Sequence, residues 1–354
     1  MSRSGKFINA MTQSHAHIFC RRILPKVSRT FAINIEILKG DLYKAVLCGY
    51  LFCRIIDTVE DSYSLTLDEQ ERLLDEMAYF FRSRTFDKTL ITNWSQPFCR
   101  MNGFSPDVTL AQKANLVFEN FSSLDAKPQE IIGHCVIEMA QGMKKTLAQK
   151  RSGKKKLYTL ETLSDLETYC YYVAGTVGVL LTRLFIHYAG SMSDDSAKGL
   201  KERQVSFGLG LQLTNIIKDC FKDYKRGWFY IPVHLIQKHS IPIDRFFETE
   251  FQPKSMQVLE ELIREAAKHL DDALTYTLLI PRSEVRIRLF CLWPLFFAIK
   301  TLKEAHRNTN LVTGEKPVKI NRSDVYRTLL KTTPFVFSNS LLRNYYHSIR
   351  ENIT

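Results

Sequence analysis

The chain has 354 residues, 45% of them hydrophobic, so it is long and apolar enough to bury a large core. Its formal net charge of +12 suits a partner that is a nucleic acid, an anionic membrane surface or a polyanionic substrate. The sequence has no zinc-finger spacing and no aromatic RNA-binding motif, and its longest basic block is Lys154 to Lys156. We therefore exclude a nucleic acid as partner.

Helical periodicity dominates the sequence, and alternating runs typical of strands are nearly absent. This pattern predicts an all-α protein with a single domain over residues 1–354, a core at about 20–325 and a flexible segment at 1–15. The predicted helices cover residues 16–25, 29–38, 40–61, 66–82, 106–121, 127–149, 161–190, 194–225, 233–239, 253–279, 283–308 and 322–351.

Neither end of the sequence predicts a membrane anchor. Residues 1–16 lack the apolar core of a signal peptide, and the apolar run 289–299 is too short for a bilayer of ~30 Å and contains Pro294. The 8 cysteines form no CxxC pair, which favours a reducing compartment. We predict a cytoplasmic protein without a transmembrane segment. Basic charge around 150–156 and 317–325 allows peripheral contact with an anionic membrane.

An acidic cluster ends the apolar helical stretch 49–56. Asp57, Glu60 and Asp61 follow i, i+3, i+4 spacing and share one helix face, with Arg54 one turn earlier on that face. Carboxylates that extend an apolar face are costly unless a positive group accompanies them. We call these three residues the first acidic cluster.

A second acidic cluster ends the run from Phe207 to Ile217. Its members follow i, i+3, i+7, i+11 spacing and fall within an arc of about 80°; they are Gln212, Asn215, Asp219 and Asp223. Oxygen ligands without His or Cys suit a hard cation such as Mg²⁺ that bridges to a phosphate. The alternative interpretation of either cluster alone is an exposed acidic helix end.

The segment 169–185 is apolar nearly all round, which predicts a buried central helix. Three small residues, Ala174, Gly175 and Gly178, leave room for a neighbouring helix or an elongated ligand to approach its backbone. Glycine inside a helix lowers stability by about 0.5–1 kcal/mol relative to alanine, so a reason for these glycines is expected. Two interpretations stay open here. The small residues serve either close packing of a neighbouring helix or a pocket for a long hydrocarbon.

These segments together resemble a known family. The sequence from Arg54 to Asp61 (RIIDTVED) is similar to the first aspartate-rich motif of the squalene and phytoene synthases, the head-to-head isoprenoid synthases. The segment 208–223 resembles their second motif. Residues 28–32 (SRTFA) resemble their N-terminal element, and 169–175 (YCYYVAG) resemble their central helix. The resemblance runs from about residue 20 to 325, in the family's order.

The squalene synthase branch of the family resembles this chain best. Phe290 to Pro294 are similar to its C-terminal pocket helix, and 317–322 (PVKINR) to its basic cofactor flap. Three departures stand out. Lys218 occupies a place where the family commonly has Arg, Asn321 and Arg322 replace a Lys-x-Arg pattern after Lys319, and the segment after Arg226 is longer than usual.

The resemblance implies a role for particular residues. Magnesium ligands, with Mn²⁺ as an alternative ion, are implied to be Asp57, Glu60, Asp61, Asn215, Asp219 and Asp223. Substrate-binding residues are implied to be Ser28, Arg29, Phe31, Tyr50, Arg54, Val173, Ala174, Gln212, Asn215, Lys218, Arg226 and Phe290. NADPH-binding residues are implied to be Arg29, Arg54, Lys319, Asn321 and Arg322. Catalytic residues are implied to be Tyr169, as a proton relay, with Asp57, Asp61, Asp219 and Asp223.

The implied activity is a magnesium-dependent condensation of two farnesyl diphosphates to presqualene diphosphate, followed by NADPH-dependent conversion to squalene. The implied fold is an isoprenoid synthase with helices around a central apolar cavity, where both acidic clusters face the diphosphates, and we expect a monomer. The alternatives are a dehydrosqualene, phytoene or presqualene diphosphate synthase without the hydride step. A terpene cyclase or chain-elongating enzyme and an inactive scaffold homologue are more distant alternatives.

Overall fold

The computed structural model describes the backbone of residues 3–101, 105–152, 157–351 and 353. Side chains are described from residue 15 onward in these ranges, except those of residues 29, 30 and 150–152. In the described part of the chain the architecture is helical, with a single pair of two-residue strands, so the all-α prediction is confirmed. The chain divides into two compact units, which we describe separately.

The N-terminal unit comprises Met1–Arg151 and Leu180–Tyr188. Its helices are α1 (Arg3–Val27), α2 (Arg29–Glu36), α3 (Gly40–Glu60), α4 (Leu67–Ser83), α5 (Lys88–Cys99), α6 (Pro106–Gln112), α7 (Ala114–Phe121) and α8 (Ala126–Ser152). A cluster of aromatic rings forms part of its core: Phe52 lies 5.0 Å from Phe81, 4.8 Å from Phe118 and 5.5 Å from Phe121, centroid to centroid. Burial of such rings is a main source of stability in a helical core.

The C-terminal unit comprises Ser152–Val179 and Ala189–Thr354. Its elements are β1 (Tyr158–Thr159), α9 (Leu163–Cys170), a π-helical turn (Tyr171–Gly175), the start of α10 (Thr176–Tyr188, of which Leu180–Tyr188 belong to the N-terminal unit), α11 (Asp194–Lys225), β2 (Trp228–Phe229), α12 (Val233–Lys238), a 3₁₀ turn (Ile243–Arg245), α13 (Gln252–Leu279), α14 (Val285–Ala305), α15 (Asn310–Thr313), α16 (Arg322–Phe335) and α17 (Asn339–Arg350). Strand β1 pairs in parallel with β2, with Tyr158 opposite Trp228.

Several helix boundaries differ from the prediction. Helix α5 was not predicted, since Pro97 and β-branched residues weaken its pattern, but Asp87 caps it by accepting from the backbone of Thr89 and Leu90. The predicted helix 322–351 is broken after Phe335, because Pro334 cannot continue the hydrogen-bond ladder and Ser338 starts α17 as its N-cap. The predicted helix 106–121 is similarly divided at Lys113.

One stretch within the described residues, Leu163–Tyr188, is long and apolar enough to cross a membrane by length and composition. In the structure, 44% of its most apolar window is buried. The core helix of a globular protein passes the same test. The absence of a transmembrane segment therefore stays a prediction.

Candidate active site

The first acidic cluster lies at the C-terminal end of α3. Asp57 and Glu60 belong to the last turn, and Asp61 is the C-cap residue. A helix C-terminus carries partial negative charge, so acidic side chains there are disfavoured by roughly 0.3–1 kcal/mol each. Glu60 is nevertheless buried, with 4% of its surface exposed. This arrangement favours binding of a cation.

Gln70 on α4 fixes the position of this helix end. Its buried amide Nε2 donates to the carbonyl oxygens of Val59 and Glu60, each at 2.8 Å, and to that of Ser62 at 3.2 Å. These carbonyls are among those that a helix C-terminus leaves without intrahelical partners. A capping box between Thr66 and Glu69 starts α4 at the right place for this contact.

Arg54 connects the first acidic cluster to a residue that the sequence analysis missed. Its Nη1 atom lies 3.2 Å from Oδ2 of Asp57, and its Nη2 atom lies 2.7 Å from Oδ1 of Asp107 at the start of α6. Its buried Nε has no hydrogen-bond partner in the described part of the chain. The sequence signal of Asp107, an acid after Pro106 in a first helical turn, is that of ordinary helix capping.

Burial and charge crowding raise the proton affinity of Asp57. Burial, together with repulsion from Asp61, Glu60 and Asp107, raises the pKa of Asp57 to about 7, although Arg54 opposes the shift. Asp57 keeps 26% of its side chain exposed. Asp57 can therefore reach a ligand while its negative charge is only partly compensated by the protein.

The predicted N-terminal substrate residues lie beside this cluster in the same unit. Ser28 caps α2 by accepting from the backbone N–H of Phe31 at 3.1 Å, and the rings of Phe31 and Tyr50 stack at 5.8 Å. Burial raises the pKa of Tyr50 to about 12 despite its hydrogen bond with Ser28. The side chain of Arg29 lies outside the described residues.

The second acidic cluster lies on α11, which continues without a break from Asp194 to Lys225. The spacing therefore places Gln212, Asn215, Asp219 and Asp223 on one face, as predicted. Asn215 is exposed and Gln212 is half-buried. Lys218 forms an ion pair with Asp219 through its Nζ atom.

Burial and the neighbouring Asp219 raise the pKa of Asp223 to about 6, against the opposing charges of Arg226, Lys222 and Lys218. Arg226 is the exposed C-cap of α11, so its charge lies next to Asp223 at the helix end. The longer segment that follows Arg226 continues into β2. The structure therefore brings Lys218, Asp219, Asp223 and Arg226 together in the C-terminal unit.

Tyr169 contacts a second residue that the sequence analysis missed. Its hydroxyl donates to the hydroxyl of Tyr230 at 3.1 Å, and the two rings stack with centroids 4.8 Å apart. Both side chains are buried. The aromatic run that follows Gly227 is the signal that could have identified Tyr230, although aromatic residues are more often ordinary core.

The small residues of the central segment pack against α11. A Cβ atom on Gly178 would lie 2.0 Å from the carbonyl oxygen of Gln204, and one on Gly208 would lie 2.3 Å from that of Ala174. Close helix packing is therefore a sufficient reason for these glycines. Val173 and Ala174 are half-buried in the π-helical turn, a feature often found at functional sites.

The predicted cofactor residues occupy the segment before α16. Lys319 and Arg322 are exposed, while Asn321 is the N-cap of α16 and accepts from the backbone of Asp324 at 2.9 Å and from the hydroxyl of Ser323 at 2.6 Å. Phe290 on α14 is buried, with 4% exposed. The two exposed cations suit the phosphates of a nucleotide cofactor, whereas the side-chain oxygen of Asn321 already serves as a helix cap.

Both acidic clusters fit a hard divalent cation. Their donors are carboxylate and amide oxygens, and burial together with neighbouring carboxylates raises the pKa of Asp57 and of Asp223, so a bound cation would stabilise the ionised form of each. Each cluster also has a basic neighbour, Arg54 or Lys218, suited to phosphate oxygens. That both clusters bind one substrate complex stays a prediction.

The family model for squalene/phytoene synthase matches residues 24–324. The chain therefore belongs to the squalene/phytoene synthase family. The squalene synthase of Schizosaccharomyces pombe is 29% identical over 314 residues, which are 88% of this chain and 64% of that protein. The squalene synthase of Saccharomyces cerevisiae is 30% identical over 319 residues, which are 89% of this chain and 67% of that protein. This chain thus spans about two thirds of the length of these relatives.

Solved structures with the same fold include a TcSQS in complex with the ligand E5700. It has a TM-score of 0.79 and 25% sequence identity, with 96% of each chain covered. A dehydrosqualene synthase in complex with a ligand has a TM-score of 0.61 and 20% identity, with 93% of this chain and 99% of that chain covered. These similarities confirm the isoprenoid synthase fold.

Proposed function

We propose that this protein is a squalene synthase, which condenses two farnesyl diphosphates to presqualene diphosphate and reduces this product to squalene. The observation that carries the proposal is the pair of acidic clusters at helix C-termini, each with a basic neighbour and with a carboxyl group whose pKa is raised by burial and by adjacent acids. The curated relatives support the same choice.

We infer that Asp57, Glu60 and Asp61, and separately Asn215, Asp219 and Asp223, hold Mg²⁺, with Mn²⁺ as a substitute. When bound, the ion would neutralise the substrate diphosphate and assist its departure. Arg54 and Lys218 donate charged hydrogen bonds to phosphate oxygens, and Asp107 holds the guanidinium of Arg54 in place. Apolar side chains exclude water from the allylic cation that ionisation leaves.

Tyr169 is the proposed proton relay for closure of the cyclopropane ring. Its hydroxyl forms a hydrogen bond with that of Tyr230 at 3.1 Å, which holds the phenolic oxygen in position. A phenol has a reference pKa near 10 and is a weak base at neutral pH, so the released pyrophosphate would be the final proton acceptor. Tyr230 would therefore act as a positioning residue for Tyr169.

The second step requires NADPH, which would supply the reducing equivalent when bound. Lys319 and Arg322 are the described residues that would contact its phosphates, and Arg29 and Arg54 are further candidates. Replacing Lys319 and Arg322 by Gln is expected to lower squalene formation but not presqualene diphosphate formation. Lys254→Gln removes an exposed cation of α13 that has no assigned role and serves as the matched control.

The deciding experiment is incubation with farnesyl diphosphate and Mg²⁺, with and without NADPH, and with products identified by mass spectrometry. Squalene with NADPH and presqualene diphosphate without it are expected. Dehydrosqualene in both incubations would identify a dehydrosqualene synthase, which has no hydride step. Absence of any product, or absence of thermal stabilisation by a substrate analogue, would contradict the proposal.

We further propose a cytoplasmic location with peripheral contact to membranes, because the hydrocarbon product partitions into a bilayer. Lys316, Lys319 and Arg322 are exposed and provide positive charge for an anionic surface. Co-sedimentation with phosphatidylserine vesicles that decreases at high salt is the expected result. Equal binding to neutral vesicles would contradict it.

A further inference from the structure

A group of potential metal ligands in the C-terminal unit has no role in the proposed reaction. It consists of Glu167 on α9 and of Glu265 and His269 on α13. One ligand atom from each residue lies within 4.8 Å of the others. The sequence could not indicate this group, because Glu167 lies about a hundred positions before the other two residues.

The orientation of His269 is that of a metal ligand. Its Nδ1 atom lies 3.4 Å from the hydroxyl of Ser206 on α11, while its Nε2 atom is buried and lies 3.9 Å from Oε1 of Glu167. In the described part of the chain this Nε2 atom has no hydrogen-bond partner. Histidine ligands commonly bind the ion through one nitrogen and are oriented by a hydrogen bond at the other.

We propose that Glu167, Glu265 and His269 bind a borderline divalent cation, with Zn²⁺ as the reference ion and Ser206 as the residue that orients His269. Two carboxylates balance the charge of the ion, and a mixed nitrogen and oxygen donor set suits Zn²⁺ better than Mg²⁺. Tetrahedral coordination needs ligand atoms about 3.4 Å apart. The Nε2 atom of His269 and Oε1 of Glu167 are 3.9 Å apart and all three ligand atoms lie within 4.8 Å of one another, so the side chains would have to move closer together to bind an ion.

An ion can reach the three proposed ligands from solvent, and the ion pair that Glu265 forms is weak. Glu167 has 36% of its side chain exposed, which gives an ion a route from solvent. Glu265 pairs with Lys268 at 2.7 Å, but the Lys268 side chain is 67% exposed, so the pair contributes little and can be displaced. Three protein ligands leave one position for water.

This site is separate from the second acidic cluster. Along α11, at ~1.5 Å per residue, Ser206 precedes Asp219 by about 20 Å and Gln212, the first member of that cluster, by about 9 Å. Glu167 precedes Tyr169 by two residues in α9, so the two side chains leave the helix in different directions. The bound cation would tie α9 to α13 and stabilise the turn that precedes the π-helical segment.

The test uses the full chain, from which metal ions are first removed with a chelator. Excess Mg²⁺ is then added to fill the hard-cation sites, and the protein is titrated with Co²⁺ as a spectroscopic substitute for Zn²⁺. We expect intense visible absorption from a single four-coordinate ion, displaced by Zn²⁺, and a higher melting temperature with Zn²⁺. Ser206→Ala is expected to weaken Co²⁺ binding roughly 10-fold or more. His269→Gln and Glu265→Gln are each expected to abolish the absorption.

The matched control is His239→Gln. His239 is 17% exposed, close to the 16% of His269, and also contacts a glutamate of α13, Glu261, at 2.7 Å, but among the described residues it pairs with a single carboxylate. This variant and Asp223→Asn should keep the Co²⁺ spectrum. A wild-type chain without visible absorption would overturn the proposal. An unchanged Co²⁺ spectrum in Glu265→Gln would also overturn the proposal. Circular dichroism checks that this variant is folded.

Discussion

Asp107 holds the Nη2 atom of Arg54 at 2.7 Å, while Nη1 of the same guanidinium contacts Asp57 at 3.2 Å. The arginine thus lies between a residue of the first acidic cluster and a residue from another helix. A guanidinium fixed on two sides loses little conformational freedom when it binds a phosphate.

Asp107→Asn is therefore expected to lower kcat/KM for farnesyl diphosphate by roughly 10- to 100-fold, the loss typical of one charge-assisted hydrogen bond. Steady-state kinetics with saturating Mg²⁺ measure the effect. Asp41→Asn, which breaks an exposed pair with Lys44 at 2.9 Å, is the control and should leave kcat/KM unchanged. A wild-type value for Asp107→Asn would show that Arg54 does not depend on Asp107.

The raised pKa of Asp57 predicts how stability depends on pH in the absence of metal. The folded protein binds this proton up to pH about 7, whereas the ordinary value is 3.8, so the free energy of unfolding falls as pH rises between these values. Asp57→Asn removes this loss of unfolding free energy, which is at most about 4 kcal/mol at ~1.4 kcal/mol per pKa unit.

Thermal melts in chelator at pH 5 and pH 8 measure this difference. Asp57→Asn should melt above the wild type at pH 8 and approach it at pH 5, while lowering activity with Mg²⁺. If the variant melted below the wild type at pH 8, the negative charge of Asp57 would be compensated within the protein, and Asp57 would not need a metal ion.

The contact between Tyr169 and Tyr230 predicts a graded effect on the first reaction. Tyr169→Phe is expected to slow presqualene diphosphate formation by about 100-fold or more, the usual scale for loss of a proton-transfer group. Tyr230→Phe keeps the stacked ring and should slow it less, by roughly 10-fold. Single-turnover assays without NADPH measure both rates, with the exposed Tyr79→Phe as control. Wild-type turnover in Tyr169→Phe would exclude the relay.

The close approach at Gly178 predicts a stability effect independent of chemistry. A methyl group there would lie 2.0 Å from the carbonyl oxygen of Gln204, so Gly178→Ala should destabilise the protein by about 1–3 kcal/mol or prevent folding. Gly190→Ala, where nothing lies within 4 Å of the added methyl, should be neutral. Thermal denaturation compares the two variants. Equal melting temperatures would mean that the helices can separate at no cost.

The sequence predicted the structural features that depend on the spacing of residues close together in the chain. Periodicity located the long helices, and i, i+3, i+4 spacing placed Asp57, Glu60 and Asp61 on one face of α3. Asp107, Tyr230 and Gln70 could not be found in this way, because each contacts a partner that lies outside its own element, at separations of 53, 61 and 10 residues respectively. Their local patterns are those of a first helical turn, an aromatic core segment and an amphipathic helix. Helix α5 was missed because its composition is unfavourable for a helix, whereas in the structure the N-cap Asp87 stabilises it.

The backbone contacts of Gly178 and Gly208 determine how this helix crossing can respond to mutation. A crossing made by main-chain atoms offers no side chain whose exchange could shift the two helices by small steps. Substitutions elsewhere along these helices can therefore alter the surfaces that flank the crossing, while the crossing itself serves as a fixed reference point.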